Sequence, residues 1–348
     1  MGGPVHRLPA PGGRAVTEAD PGSPLPLVDI GAIRAAARTL EGIAIRTPLV
    51  AFGRPEERVL LKAESLQPIG AFKIRGAYTA VAALDPETRA RGVITYSSGN
   101  HAQGVARAAL LFGVPAVIVM PSDAPGIKRA RVAADGAEIV DVGTASEERR
   151  TVAERIAAER GLTVIPPFDD DRIIAGQGTC GLEIAEDVPD LTAVLVPIGG
   201  GGLASGVAAA VKALRPRARV VGVEPELAAD ARESLAAGRI VGWPAELVSR
   251  TIADGTRTQS LGRRTFAHLA ALMDAVITVT EAEIAAAVRL AAEESRLVVE
   301  PSGALTIAAV RFHRDEVGAP DGPVVAVVSG GNVDPDAYLR YLAAPIPV

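Results

Sequence analysis

From about Asp29 onward, short runs dominated by valine and isoleucine alternate with alanine-rich stretches of helical spacing. The runs are residues 59–64, 93–98, 116–121, 138–142, 162–165, 193–198, 219–224, 275–280 and 324–329. Helix patterns lie between them, among them 101–112, 146–160, 203–214, 281–296 and 304–314. The runs are apolar throughout instead of alternating with polar residues, so each strand must be covered on both faces. Strand–helix alternation with strands of that kind predicts an α/β fold built on parallel sheet. Sheets of this class bind ligands beyond the carboxyl ends of their strands.

With 348 residues the chain suffices for one large domain or two ordinary ones. The sequence divides best into a flexible, proline- and glycine-rich leader over 1–27, a large domain from 28–74 plus 167–348, and a small domain over 75–166. The last motif falls so close to Val348 that no appended C-terminal regulatory domain is expected. A net charge of −5 without a basic run disfavours nucleic acid as a partner. No apolar stretch has the length to cross a bilayer uninterrupted, so no membrane partner is expected either. The single cysteine, Cys180, has no partner for an internal disulfide, which fits a reducing, cytoplasmic setting, and it reads as a small buried hydrophobe.

The residues that carry chemistry cluster where the apolar runs stop. Lys73 sits behind Phe72 in Gly70-Ala71-Phe72-Lys73-Ile74-Arg75-Gly76-Ala77. Desolvation disfavours the ammonium form, so a lysine in a partly apolar pocket becomes a nucleophilic amine that forms a Schiff base with an aldehyde. The run ending at Ile198 enters Gly199-Gly200-Gly201-Gly202-Leu203 and then a helix, a backbone cradle for a phosphate at a helix N-terminus. A dinucleotide-dependent oxidoreductase is the competing expectation, because Gly199-x-Gly201-x-x-Ala204 followed by Glu224 satisfies that fingerprint. Against it, the motif lies in mid-chain, and such an enzyme has no use for the lysine segment or for Ser97-Ser98-Gly99-Asn100-His101.

Taken in order, these motifs resemble the fold-type-II pyridoxal-phosphate enzymes, the tryptophan-synthase-β-like superfamily. The resemblance is closest to the serine/threonine dehydratases and serine racemases. It also rests on Lys62-Ala63-Glu64 with Gln67, Ala175-Gly176-Gln177-Gly178-Thr179, Ala253-Asp254-Gly255, Glu300-Pro301-Ser302-Gly303-Ala304 and Ser329-Gly330-Gly331-Asn332, and it spans about Ile30 to Tyr341. It implies two three-layer, parallel-sheet domains and pyridoxal 5'-phosphate as cofactor. Lys73 would carry the Schiff base and act as acid/base at the substrate Cα. Gly199, Gly200, Gly201, Gly202 and Leu203 would bind the cofactor phosphate, Asn100 its 3-oxygen, and Ser329 would stand beside the pyridine nitrogen. Ser97, Asn100 and His101 would grip the substrate carboxylate. Ser98 would face the cofactor opposite Lys73, as a proton donor for racemisation, as a helix cap, or as both. Many relatives carry serine where this chain has Ala71, a difference expected to tune the pocket.

The resemblance further suggests a divalent-cation site at Glu224, Ala228 and Asp230, two carboxylates and a carbonyl suited to Mg²⁺ or Ca²⁺. The same spacing also suits a solvated acidic helix start. The expected activity is an ammonia-lyase that converts L-threonine or L-serine to a 2-keto acid and ammonia, from a homodimer. Serine racemase and threo-3-hydroxyaspartate dehydratase are the alternatives. His6, His268 and His313 have no assignable partners in sequence and are expected in solvated positions.

Overall fold

The computed structural model describes residues 25–347 except 98, 123, 125, 144, 145, 320 and 321. The leader up to residue 24, including His6, and the serine at position 98 therefore lie outside the described residues.

Ten strands form two sheets among the described residues: β1 (Leu49–Phe52), β2 (Val59–Ala63), β3 (Val93–Tyr96), β4 (Ala116–Pro121), β5 (Glu138–Val142), β6 (Thr163–Val164), β7 (Ala193–Pro197), β8 (Arg219–Pro225), β9 (Ala275–Val279) and β10 (Val324–Val328). One sheet runs β1-β2-β10-β7-β8-β9 and the other β5-β4-β3-β6. The fold is α/β, as the apolar runs predict. In β10, Val324, Ala326 and Val328 enter one hydrophobic cluster while Val325 and Val327 enter the cluster on the opposite face. In β7, Ala193 and Leu195 face the first cluster, and Val194 and Val196 the second. The smaller sheet divides likewise, with Val93, Ile118 and Met120 on one side and Ile94, Val117 and Val119 on the other. A strand buried on both faces has no use for polar alternation, which is why these runs read as continuous valine and isoleucine.

β1 is the exception to the parallel pattern. It pairs antiparallel with β2, Leu49 opposite Lys62 and Phe52 opposite Val59. The chain turns back through Gly53 and Arg58, both at positive φ. Four residues at a sheet edge, only one of them buried, are too few for a hydrophobic period to mark them.

Helix boundaries follow local chemistry. Asp29 caps Ile30–Thr39, Asp170 caps Asp171–Asp187, and Thr280 with Glu283 forms a capping box on Glu281–Ser295. The helices Lys73–Ala82, Asp171–Asp187 and Gly202–Leu214 approach one another closely where glycines remove the side chain. A Cβ at Gly176 would stand 2.6 Å from the Arg75 carbonyl oxygen, and one at Gly178 3.0 Å from the Gly206 carbonyl oxygen. These contacts bring the lysine helix and the helix after the tetraglycine turn to one end of the larger sheet.

Candidate active site

A cavity of about 340 Å³ opens beyond the carboxyl ends of β3, β7 and β10. Lys73, Ser97, Asn100, His101, Ser329 and the turn Gly199–Leu203 all line it, so segments spread over more than two hundred residues meet in one place.

Lys73 opens the helix Lys73–Ala82. Its Nζ donates to the Pro167 carbonyl at 2.7 Å and lies 5.2 Å from the centroid of the Phe72 ring. Burial pushes this amine down from 10.5 to about 8, so a substantial fraction is neutral near pH 8, as nucleophilic attack on an aldehyde requires.

The tetraglycine turn follows β7. Gly201 has φ +87 and serves as N-cap of the helix Gly202–Leu214. A Cβ at Gly200 would enter the ring of Phe168, and one at Gly201 would stand 2.9 Å from Thr265 Cβ. At both positions a side chain would collide with the surrounding protein, so only glycine lets the turn pack against Phe168 and Thr265. The turn suits a phosphate group on its donors and on its room.

Around the lysine the smaller sheet contributes the loop after β3. His101 is buried, and its Nε2 donates to the Ile165 carbonyl at 3.1 Å. Burial, helped by the charge of Lys73, drives its pKa down to about 3, so the ring is neutral. The Ser97 hydroxyl accepts from the Gly99 N–H at 3.3 Å. Asn100 Nδ2 donates to Glu300, and its Oδ1 accepts from Asn332 Nδ2 at 2.8 Å. Ser329 directly follows β10, with its Oγ donating to the Ser302 carbonyl at 3.4 Å.

Sequence reasoning missed a further group on the cavity wall. Lys128, from the helix Gly126–Ala134, is buried with Nζ 2.5 Å from Asp254 Oδ2 and 3.2 Å from Glu300 Oε2. The two carboxylates hold its pKa above the usual lysine value against the cost of burial. Burial raises Glu300, and Lys128 partly offsets that. Asp254 and Glu300 were visible as motif members, but nothing in the sequence pairs them with a lysine more than a hundred positions away.

Glu224 and Asp230 lie elsewhere, at the end of β8 and the start of the helix Asp230–Ala237, with Ala228 between them, and all three are buried. A solvated acidic helix start is thereby corrected, because the carboxylates are inside. Glu224 accepts from the backbone N–H of Ala231 at 3.0 Å and of Arg232 at 2.8 Å, whereas Asp230 Oδ2 has no hydrogen-bond partner. Burial, then Asp230, pushes Glu224 far above the carboxylate range, and burial lifts Asp230 to about 7. Two buried acids, one with an unsatisfied oxygen, form a donor set that suits a hard cation.

The expectation of solvated histidines is corrected as well. His268 is buried, accepting from the Val28 N–H through Nε2 and donating to the Arg264 carbonyl through Nδ1. His313 is bracketed by Glu316 and Glu283. Cys180 is fully buried, and burial raises its thiol pKa, in keeping with the inert reading.

The family described as pyridoxal-phosphate dependent enzyme matches residues 40–330. The chain is 41% identical over 318 residues to the L-threo-3-hydroxyaspartate ammonia-lyase of Saccharomyces cerevisiae, covering 90% of this chain and 96% of that one. It is 42% identical over 323 residues to the L-threonine ammonia-lyase of Thermotoga maritima, covering 91% and 78%. Among solved structures, maize serine racemase aligns with a TM-score of 0.85 at 39% identity, covering 91% of this chain and 97% of the other. The serine racemase of Dictyostelium discoideum aligns at 0.81 and 36% identity, covering 88% and 99%. The chain belongs to the pyridoxal-phosphate dependent enzymes of fold type II, within the ammonia-lyase and racemase group. The family match sets the dinucleotide alternative aside, and Glu224 is already committed to two backbone amides instead of standing free for a ribose. Among the described residues no helix is long and apolar enough to cross a membrane.

Proposed function

We propose that the protein is an ammonia-lyase that removes water and then ammonia from L-threonine or L-serine, leaving a 2-keto acid. One observation carries this reading: a buried amine with its pKa lowered to about 8, Lys73, shares a cavity with a tetraglycine turn shaped for a phosphate. When bound, pyridoxal phosphate supplies an aldehyde for the amine and a conjugated ring that draws electrons from the substrate Cα.

The residues of the chain divide the remaining work. Gly199, Gly200, Gly201, Gly202 and Leu203 hold the phosphate through backbone amides. Asn100, already turned by Glu300 and Asn332, presents its amide to the cofactor 3-oxygen. Ser97, Asn100 and His101 bind the substrate carboxylate, with the neutral His101 ring serving as part of the wall. Lys73 Nζ takes the proton from Cα. The β-hydroxyl then leaves with a proton as water, and the released enamine hydrolyses to keto acid and ammonia. Ser329 would offer the ring nitrogen a neutral hydroxyl, not a carboxylate. Without a fixed negative charge there, the bound ring would draw electrons less strongly. Loss of a β-leaving group is favoured over transamination. The two sheets belong to two domains, 28–74 with 167–348 and 75–166, with this cavity between them. Glu224, Ala228 and Asp230 hold a divalent cation apart from the chemistry.

A second substrate, threo-3-hydroxyaspartate, is favoured by the 41% identity to the L-threo-3-hydroxyaspartate ammonia-lyase of Saccharomyces cerevisiae. Racemisation depends on Ser98.

Incubation of the purified holoenzyme with L-threonine, L-serine and L-threo-3-hydroxyaspartate separates these activities when keto acid, ammonia and the opposite enantiomer are assayed together. Keto acid and ammonia in equal amounts from threonine or serine support the reading. Turnover of hydroxyaspartate alone, or D-serine as the main product, overturns it.

A further inference from the structure

Residues 167–169 touch both ends of the candidate site. The Pro167 carbonyl accepts from Lys73 Nζ at 2.7 Å. The Phe168 ring occupies the space that a side chain at Gly200 would need, and Phe168 Cβ and its backbone stand 3.1 to 3.3 Å from where one at Gly202 would begin. Asp169 lies outside the cavity, and its carboxylate accepts from three successive backbone N–H groups at the start of the helix Arg263–Leu272: Arg264 at 2.8 Å, and Arg263 and Thr265 at 3.2 Å. That helix start is the wall behind the tetraglycine turn. Thr265 packs directly on Gly201, Leu261 beside it, and the Thr265 carbonyl accepts from Ser205 Oγ at 3.4 Å in the helix that follows the turn. Gly262 leaves the opening through which the Asp169 carboxylate reaches the amides, since a Cβ there would overlap the carboxyl group.

We propose that Asp169 is a positioning residue: by capping the helix Arg263–Leu272 it holds the tetraglycine turn at a fixed separation from Lys73, the span that a phosphorylated aldehyde must bridge. The inference rests on the cofactor role proposed above and goes beyond it to a residue that touches neither cofactor nor substrate. A continuous tripeptide that anchors the lysine through residue 167, the glycine backbone through residue 168 and the wall behind it through residue 169 leaves little slack between the two. Misplacement of one reacting group by about 1 Å is enough to lose two orders of magnitude in a bound reaction.

The test uses the full chain stripped of cofactor and titrated with pyridoxal phosphate, and separately with pyridoxal, which lacks the phosphate. Growth of the visible Schiff-base band is followed. Asp169→Ala is expected to weaken pyridoxal phosphate binding about tenfold or more and to leave pyridoxal within about twofold of the unaltered protein, because Lys73 itself is untouched. Asp169→Asn, which keeps an acceptor oxygen, is expected to recover most of the loss. Asp85→Ala removes a cap of the same kind from an exposed helix, Pro86–Arg91, and is expected to change neither titration. Equal weakening of both aldehydes by Asp169→Ala, unchanged binding of pyridoxal phosphate, or the same loss from Asp85→Ala overturns the positioning role. If Asp169→Ala does not fold, Gly262→Ala displaces the same carboxylate and must reproduce the selective loss; a folded Gly262→Ala with unaltered affinity also overturns it. Failure of the unaltered protein to develop the band overturns the cofactor assignment instead, so the two failures are distinguishable.

Discussion

Arg75 and Glu64 form a bidentate ion pair, Nε to Oε2 at 2.7 Å and Nη2 to Oε1 at 2.8 Å, with neither side chain exposed to solvent. Glu183 takes the remaining face of the guanidinium and also accepts from Lys62 Nζ, so two cations and two carboxylates balance. Arg75 stands two residues from Lys73, in the first turn of the same helix, and the cluster ties that turn to β2 and to the helix Asp171–Asp187. Arg75→Met leaves Glu64 and Glu183 without their guanidinium and is expected to cost about 3–5 kcal/mol, whereas making the cluster apolar or neutral at all four positions costs far less. Urea unfolding of the single and quadruple variants checks this; equal losses contradict it.

Burial of Lys73 carries a stability cost with a defined pH window. Its folded pKa, about 8, lies below the ordinary 10.5, so the unfolded chain binds more protons between these values. Stability of the cofactor-free protein therefore rises with pH across that window and is lowest, with respect to this group, below pH 8. Lys73→Met removes the cost and is expected to stabilise the cofactor-free protein at pH 7 by about 3 kcal/mol while abolishing turnover. Denaturation midpoints measured at pH 7 and above 10.5 provide the comparison, and the difference should shrink at the higher pH.

At Gly200 the room in the tetraglycine turn is limited by one ring. Gly200→Ala drives a methyl group into Phe168, so the variant should lose cofactor binding while remaining folded. A second change, Phe168→Leu, relieves the overlap and should restore part of the affinity. Absorbance titration of both variants measures this; tight binding by Gly200→Ala alone would falsify the geometry.

Lys128 neutralises Asp254 and Glu300 on the cavity wall. Lys128→Met leaves the buried Glu300 carboxylate facing the partly exposed Asp254, and a loss of about 3 kcal/mol is expected. Adding Glu300→Gln removes one of the charges and should recover part of that stability, although not the Asn100 geometry that depends on the Glu300 carboxylate. Thermal melts report the recovery, and KM for the amino acid reports the Asn100 effect.

His313 provides a second pH signature. Burial opposes its charged form, but Glu316 and Glu283 outweigh burial and raise its pKa above 6.5. The stabilisation from these pairs is fully present below the ordinary histidine pKa and is lost as pH rises through the raised folded value. His313→Gln should flatten this fall in a plot of melting temperature against pH, with no effect on cofactor binding.

Much of the fold is legible in the chain because it rests on local chemistry. A valine-rich run without alternation is sufficient to say that both faces of a strand are buried, and β7, β8 and β10 form where such runs stand. The antiparallel β1 was not legible: it has four residues, and its pairing is set by the chain returning along β2. Of the site, Lys73 and the glycine turn announce themselves, since an amine beside an aromatic ring and a run without side chains each have few other uses. The histidines misled, because partners such as the Val28 amide for His268 come from 240 residues away.

Thus the order of residues alone determines the class of sheet, the reactive amine and the phosphate turn, for each depends on neighbours within a few positions. The three-dimensional packing decides which carbonyl holds Lys73, which acids surround Lys128 and how far Asp230 is removed from water. Those outcomes depend on desolvation and on contacts between segments 94 or more residues apart, and neither is encoded in any local pattern.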